Sequence, residues 1–315
     1  MIISMSDKEY FELDAFSKHD SDMFAKNPYA YFIRKITGYT KEPTEAMKLG
    51  TALHEKLLTP EIYEQKYAVV PETIKVRRGK EWDAFKEEHE GMEYIRIADF
   101  QKVSAMANAL SENSEVKHVF EKTPRDAREV VITAKVNTID IKSKVDMIAD
   151  GGKTLIDVKT ATDASPKAFV RQAAELGYDV QAAFYIMNAE ANGLKPERFA
   201  FYVVETEFPY TTGIYTFDKD SSFVRAGKLE VERRLNEYRK AVESVEDPIG
   251  DGWSATNLKL PAWCERAQIA KILENTDEAG VDKSVDIAGA NIAGITALGA
   301  VVAVIAGFVL AACGF

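Results

Sequence analysis

A chain of 315 residues, 46% hydrophobic and 29% charged, has room for one large domain or two ordinary ones and reads as a folded body rather than a disordered one. Its formal net charge of -10 excludes an overall cationic coat for nucleic acid, although a local basic strip or bound metal ions can still meet phosphate. Two cysteines, Cys264 and Cys313, are too few for a disulfide framework, a cysteine-rich zinc site or a four-thiolate iron–sulfur cluster, so a reducing setting is the default.

In chain order, the first ten residues carry acids and no apolar run of signal-peptide character. Residues 17–36 place Phe24, Tyr31, Phe32 and Ile36 at helical spacing, with an interruption at Asn27-Pro28. A second helix is predicted over 44–58, with Thr44 as N-cap and Thr59-Pro60 as the stop. Residues 75–80 (KVRRGK) form a basic loop, and helices are predicted at about 81–90 and 97–120. The pattern then changes to strands at 128–134, 139–149 and 154–159, an antiparallel meander turned at Gly151-Gly152. Helices at about 166–175 and 180–192, strands at 198–205 and 212–217, and a long amphipathic helix over 221–244 complete the body. The fold class is therefore α/β: a mixed sheet of about five strands flanked by helices, with a helical N-terminal section.

Residues 287–315 differ in kind. They carry no charge and are dominated by Ala, Gly, Val and Ile, and the run exceeds the roughly 20 residues that span a bilayer. The expected organisation is a main folded body over 1–275, a linker over 276–286 and an apolar C-terminal helix over 287–315. The tail reads as an anchor holding the body at the inner face of the cell membrane, with a buried or oligomerising helix and a functionless extension as the other readings.

The chemistry concentrates in Asp146 and in Asp157-Val158-Lys159. Side chains alternate along a strand, so Asp157 and Lys159 share one face while Val158 points into the core. Pairing the two strands brings Asp146 beside Asp157, and two carboxylates on one face suit Mg²⁺ or Mn²⁺. A lysine beside them can orient or deprotonate a water and offset charge on a phosphate. The plain alternative is a solvated ion pair on a strand face. Gln181 and Tyr185 are four apart on an apolar helix and could reach a phosphate or hold a water, or could be a buried face with Tyr at its rim. His54 follows Gly50 by one turn and is either a ligand or a structural histidine. Glu129 opens the first strand of the meander, as a further carboxylate for metal or a strand-end charge. Lys75, Arg77, Arg78 and Lys80 are candidates for gripping a DNA backbone, with a solvated loop as the equal alternative.

The order Gly-x-x-x-His, strand carboxylate, Asp, Asp-x-Lys, Gln-x-x-x-Tyr resembles the RecB-like branch of the PD-(D/E)xK nucleases, and more closely the nuclease domain of the RecE (exonuclease VIII) family. The stretches that carry the likeness are KLGTALHEKLLTP (48–60), RGKEWDAF (78–85), KVD (144–146), IDVKTATD (156–163), ASPKAFVRQAAELGYDVQAAFY (164–185) and LPAW (260–263), spread over about residues 5–270. The resemblance implies a Mg²⁺-dependent 5′-to-3′ exonuclease on linear double-stranded DNA that leaves 3′ overhangs for phage-type recombination, with Mn²⁺ as a substitute metal. It also implies a ring-shaped homo-oligomer and a RecT-like annealing partner. Carried over by position, His54, Asp146 and Asp157 are metal ligands, with Glu129 a less secure fourth. Lys159 is the catalytic lysine, and Gln181 and Tyr185 match the supporting motif. The competing readings are a nuclease for single-stranded DNA and a non-catalytic DNA-binding or membrane-tethered scaffold. The residues after about 281 have no counterpart in the family pattern.

Overall fold

The computed structural model describes residues 2–243 apart from residue 4. The expected linker, the LPAW segment and the apolar tail lie outside the described residues. In order the elements are β1 (Ile2–Ile3), α1 (Asp7–Glu12), α2 (Lys18–Lys26), α3 (Pro28–Thr37), α4 (Glu45–Leu58), α5 (Pro60–Lys66), β2 (Tyr67–Val70), α6 (Lys80–Glu88), β3 (Glu93–Arg96), α7 (Ile97–Glu112) and α8 (Ser114–Lys122). They are followed by β4 (Arg128–Val136), β5 (Ile139–Ala149), β6 (Thr154–Ala161), α9 (Pro166–Leu176), α10 (Tyr178–Ala191), β7 (Arg198–Glu205), β8 (Thr212–Asp218) and α11 (Ser222–Glu243). Among these, no helix is long and apolar enough to cross a membrane.

The described chain divides into two compact units: residues 2–18 with 41–232, and residues 19–40 with 233–243. The first holds a six-stranded sheet in the order β1-β4-β5-β6-β7-β8, one strand more than expected. All its pairings are antiparallel except β6 with β7. That parallel step follows from the connection, because the chain leaving β6 returns to the sheet as β7 only after crossing through α9 and α10. A separate parallel pair joins β2 to β3. These four-residue strands are too short to show a period of two in the sequence.

Alternation along β6 sorts the layers. Ile156 and Val158 enter a core with Leu53, Leu57 and Leu58 of α4 and with Val103, Met106 and Leu110 of α7. The opposite face meets α9 and α10 through Phe169, Tyr178, Phe199 and Phe201. Each buried leucine of α4 contributes roughly 1.5–3 kcal/mol of burial, which fixes the helix bearing His54 against the strand bearing Asp157.

Helix ends follow side-chain chemistry. Thr44 caps α4 by accepting from the Met47 amide at 3.3 Å. Pro60 does not merely stop that helix; it opens α5 at a first-turn position where its missing N–H costs nothing. The single helix expected over 97–120 is two, because Asn113 accepts from the amides of Glu115 and Val116 and starts α8 afresh. In the second unit, Asn27 caps α3, and Phe24 and Tyr31 meet Tyr238 edge-on while Phe32 stacks on it. Arg234 binds Asp22 there at 2.8 Å.

Candidate active site

The site lies where β5 and β6 part. Their ladder pairs Met147 with Ile156, Ile148 with Leu155 and Ala149 with Thr154, then stops. One step further the register sets Asp146 opposite Asp157, both nearly buried at 7% and 3% exposure. Side chains take over the hydrogen bonding that the ladder drops. Asp146 Oδ2 accepts from the Val158 amide at 2.6 Å. His54 Nε2, reaching in from α4, lies 2.9 Å from the Val158 carbonyl oxygen, and its Nδ1 lies 3.3 Å from Asp146 Oδ2. With Nε2–H donating to that carbonyl, Nδ1 is the nitrogen left for a proton or a metal.

Glu129 completes the cluster from β4. It sits in the register position opposite Asp146 but is skipped by the ladder, with a left-handed φ of 53°. Such a backbone costs a glutamate on the order of 1 kcal/mol, and it turns the carboxylate toward the site. Atoms of His54, Glu129 and Asp146 lie within 4.8 Å of one another. Glu129 Oε2 pairs with Lys144, while its Oε1 is buried with no hydrogen-bond partner among the described residues. An orphaned buried carboxylate oxygen beside a second carboxylate and an imidazole is a donor set that fits a divalent ion of the Mg²⁺ or Mn²⁺ kind.

Asp157 stands beside this triad rather than in it. Its Oδ1 accepts from Gln181 Nε2 of α10, and its Oδ2 pairs with Lys159 Nζ at 2.7 Å. Lys159 Nζ also lies 5.1 Å from the centre of the Tyr178 ring. Tyr185, one turn after Gln181, is half-buried, and its hydroxyl feels both Asp157 and Gln181.

The electrostatics are those of crowded acids. Burial pushes Asp157 and Glu129 up, and the neighbouring Asp146 charge adds to both. Burial also opposes charge on Asp146, but His54, the Val158 amide and Lys159 outweigh it and hold this carboxyl low. Burial disfavours charge on His54, yet Asp146, Glu129 and Asp157 together raise it to about 9. Lys159 likewise loses hydration and is nonetheless held above the usual lysine range, mainly by Asp157.

Three participants were not singled out in the sequence: Tyr178 beneath the lysine, the Val158 backbone, and the Asp7–Lys144 pair at 2.6 Å that backs Glu129. The first could be suspected only from the Tyr opening α10, and the other two need the tertiary fold. Of the basic loop, Arg77 donates to the Tyr94 carbonyl at 3.0 Å and stacks over Trp82, so it braces β3. Lys75, Arg78 and Lys80 are exposed.

A strand pair that opens on two aspartates and a lysine, flanked by helices on both faces, defines the PD-(D/E)xK nuclease class of α/β fold. The chain matches, over residues 23–274, the family described as a PDDEXK-like domain of unknown function (DUF3799), and it belongs to that family. Among solved structures it is similar to a candidate exonuclease from Eubacterium rectale, with a TM-score of 0.50 and 15% identity, covering 76% of this chain and 88% of that one. At this identity the likeness speaks for the fold. The structure of SSO0001 aligns over 60% of this chain and 86% of its own, with 14% identity and a TM-score of 0.27, too low to argue from. No curated protein matches the chain.

Proposed function

We propose that the protein is a divalent-metal-dependent DNA exonuclease acting on linear double-stranded DNA. The observation that carries this reading is the meeting of His54, Glu129 and Asp146 beside the Asp157–Lys159 pair at the opening between β5 and β6. His54, Glu129 and Asp146 would hold the ion, with Asp157 able to join once its contacts with Gln181 and Lys159 rearrange. A bound Mg²⁺ or Mn²⁺ supplies positive charge to a phosphate oxygen and lowers the pKa of a water.

The residues do the rest. Asp157 fixes the Lys159 ammonium, and the Tyr178 ring limits where it can swing. Because Lys159 is held charged, it acts as a donor that orients water and balances charge on the phosphate rather than as a base. Gln181 positions Asp157, and Tyr185 offers a hydroxyl that burial keeps protonated. The 5′-to-3′ polarity, the 3′ overhangs, a ring-shaped oligomer and a RecT-like annealing partner belong to the proposal through the RecE resemblance. Membrane attachment through residues 287–315 is likewise a proposal.

The test is digestion of linear duplex DNA labelled at the 5′ or the 3′ end, with Mg²⁺, Mn²⁺ or EDTA, alongside Lys159→Ala. Metal-dependent release of the 5′ label as mononucleotides, lost in the variant, is expected. A folded protein that degrades neither labelled substrate with either metal would overturn the proposal.

A further inference from the structure

We propose a second nucleic-acid contact, a cation-lined cleft edged by the exposed ring of Phe208 that takes a single-stranded segment of DNA, an assignment that rests on the nuclease reading above. The cleft has a volume of about 500 Å³ and lies among the first half of α4, β3 and the start of α7. Lys48, Lys66, Arg77, Arg96 and Lys102 line it with the carboxylates Glu45, Glu93 and Asp99; Lys66 is already held by Glu55 at 2.6 Å and Lys102 by Glu207 at 2.7 Å, which leaves Arg77 and Arg96 as the cations a ligand would meet. Two of those carboxylates are already answered, Glu45 by Lys48 at 2.9 Å and Glu93 by Lys66 at 3.4 Å. Arg77 has given one contact to a backbone carbonyl and its face to Trp82, and Arg96 acts on Glu45 only through its charge, as Arg77 also does. Two guanidinium groups with unspent donors on one cleft suit phosphate oxygens.

Phe208 supplies the other half of the chemistry. It is 86% exposed, the highest value among the exposed large hydrophobic residues of the described chain. Its loop is nonetheless tied down. The Thr206 amide donates to the Ala161 carbonyl at 2.9 Å, the Tyr210 amide to the Glu207 carbonyl at 2.7 Å, and Lys102 holds the Glu207 carboxylate at 2.7 Å. A braced loop that shows a phenyl ring to water loses apolar burial that the fold does not recover.

The same contacts locate the ring. Ala161 is two residues beyond Lys159 on β6, about 6–7 Å of strand, and Lys102 belongs both to the cleft and to the Phe208 loop. Gly50 of α4 faces the same strand end, with Thr160 Oγ1 4.0 Å from where its Cβ would be. Ring, cleft and lysine are therefore linked through one strand end. Cations that follow phosphates and an aromatic face that stacks on any base are the two parts of a single-strand site. A duplex hides its base faces, so the ring finds a partner only where the strands have separated.

The experiment measures binding of the metal-free full chain in EDTA to a fluorescent oligo(dT) of roughly a dozen nucleotides, by anisotropy across a salt series. Phe208→Ala should weaken binding by about 5- to 150-fold and Phe208→Trp should restore it. Arg96→Ala should lower the slope of log affinity against log salt by about 0.7. Both side chains are exposed, so folding is not at stake. Binding by either alanine variant indistinguishable from wild type, or no binding of the oligonucleotide by wild type, would overturn the cleft. The end-labelled digestion separates the two proposals. Turnover with oligonucleotide binding indifferent to Phe208 sinks the cleft alone. Phe208-dependent binding without turnover supports the cleft and sinks the nuclease reading alone.

Discussion

Gln181→Ala tests how the buried acids are kept. Gln181 and Asp157 are both nearly buried, at 6% and 3% exposure, and the amide donates directly to Asp157 Oδ1. Truncation leaves that oxygen without a donor, while Lys159 remains on the other oxygen. A hydrogen bond to a charged group contributes about 1.5–3 kcal/mol, so a loss near 2 kcal/mol is expected in urea unfolding with EDTA at pH 8. The sign with pH follows from Asp157, whose pKa burial has already raised. Its charged form is the destabilised one, and losing the amide raises the pKa further. The gap between wild type and variant should therefore widen as pH rises through the Asp157 titration and narrow as the carboxyl protonates. A double-mutant cycle isolates the pair: with Asp157→Ala already present, Gln181→Ala should cost at least about 1 kcal/mol less. Equal costs in the two backgrounds, within about 0.3 kcal/mol, would refute the reasoning.

Three further predictions concern the same neighbourhood. Tyr178→Leu should lower kcat by about 2- to 30-fold with little change in KM, as the ring beneath Lys159 is worth roughly 0.5–2 kcal/mol; Tyr178→Phe should retain activity, and a fall confined to KM would contradict the positioning role. Because His54 is raised to about 9 by its acidic neighbours, its protonated form stabilises the metal-free protein fully below about pH 6.5 and that gain fades as pH rises through 9. A metal must displace this proton, so Mn²⁺ affinity measured by calorimetry should rise about tenfold between pH 7 and pH 8, and a flat profile would refute the linkage. In Gly227→Ala the new Cβ would stand 2.0 Å from the Asp179 carbonyl oxygen, forcing α11 away from the first turn of α10. Overpacking of this kind costs at least about 1–3 kcal/mol, and an unchanged unfolding midpoint would rule out the close approach.

The meander was legible because β-branched runs and a Gly-Gly turn are local signals, and the alternation of Asp157, Val158 and Lys159 placed two of them on one face. Thr44 announced α4 by cap chemistry. The break at Asn113 was hidden because apolar spacing runs on through both helices; only the side chain's choice to bond two amides ends one and begins the next. Glu129 could be named as a carboxylate, but its turned backbone answers to its register opposite Asp146. Lys144 reads as one of the polar positions of an alternating strand, and only Glu129 from the next strand and Asp7 from 137 residues away give it a role. Tyr178 and the Phe208 loop depend on which strand ends lie together, which no local pattern records.

The parted strands have a practical consequence for choosing an inactive control. Charged groups in a catalytic centre are commonly a burden that folding would gain by shedding. Here Asp146 holds the Val158 amide and His54 faces its carbonyl, so these two residues also close the backbone where β5 withdraws. Asp146→Ala therefore strips a buried amide of its partner along with a ligand, and an inactive preparation of it would mix lost chemistry with a loosened β6. Among the described residues, Lys159 contacts Asp157 and the Tyr178 ring but no main-chain group through its side chain. Lys159→Met, retaining the stem over that ring, is the control whose silence in an assay speaks of chemistry and not of a frayed sheet.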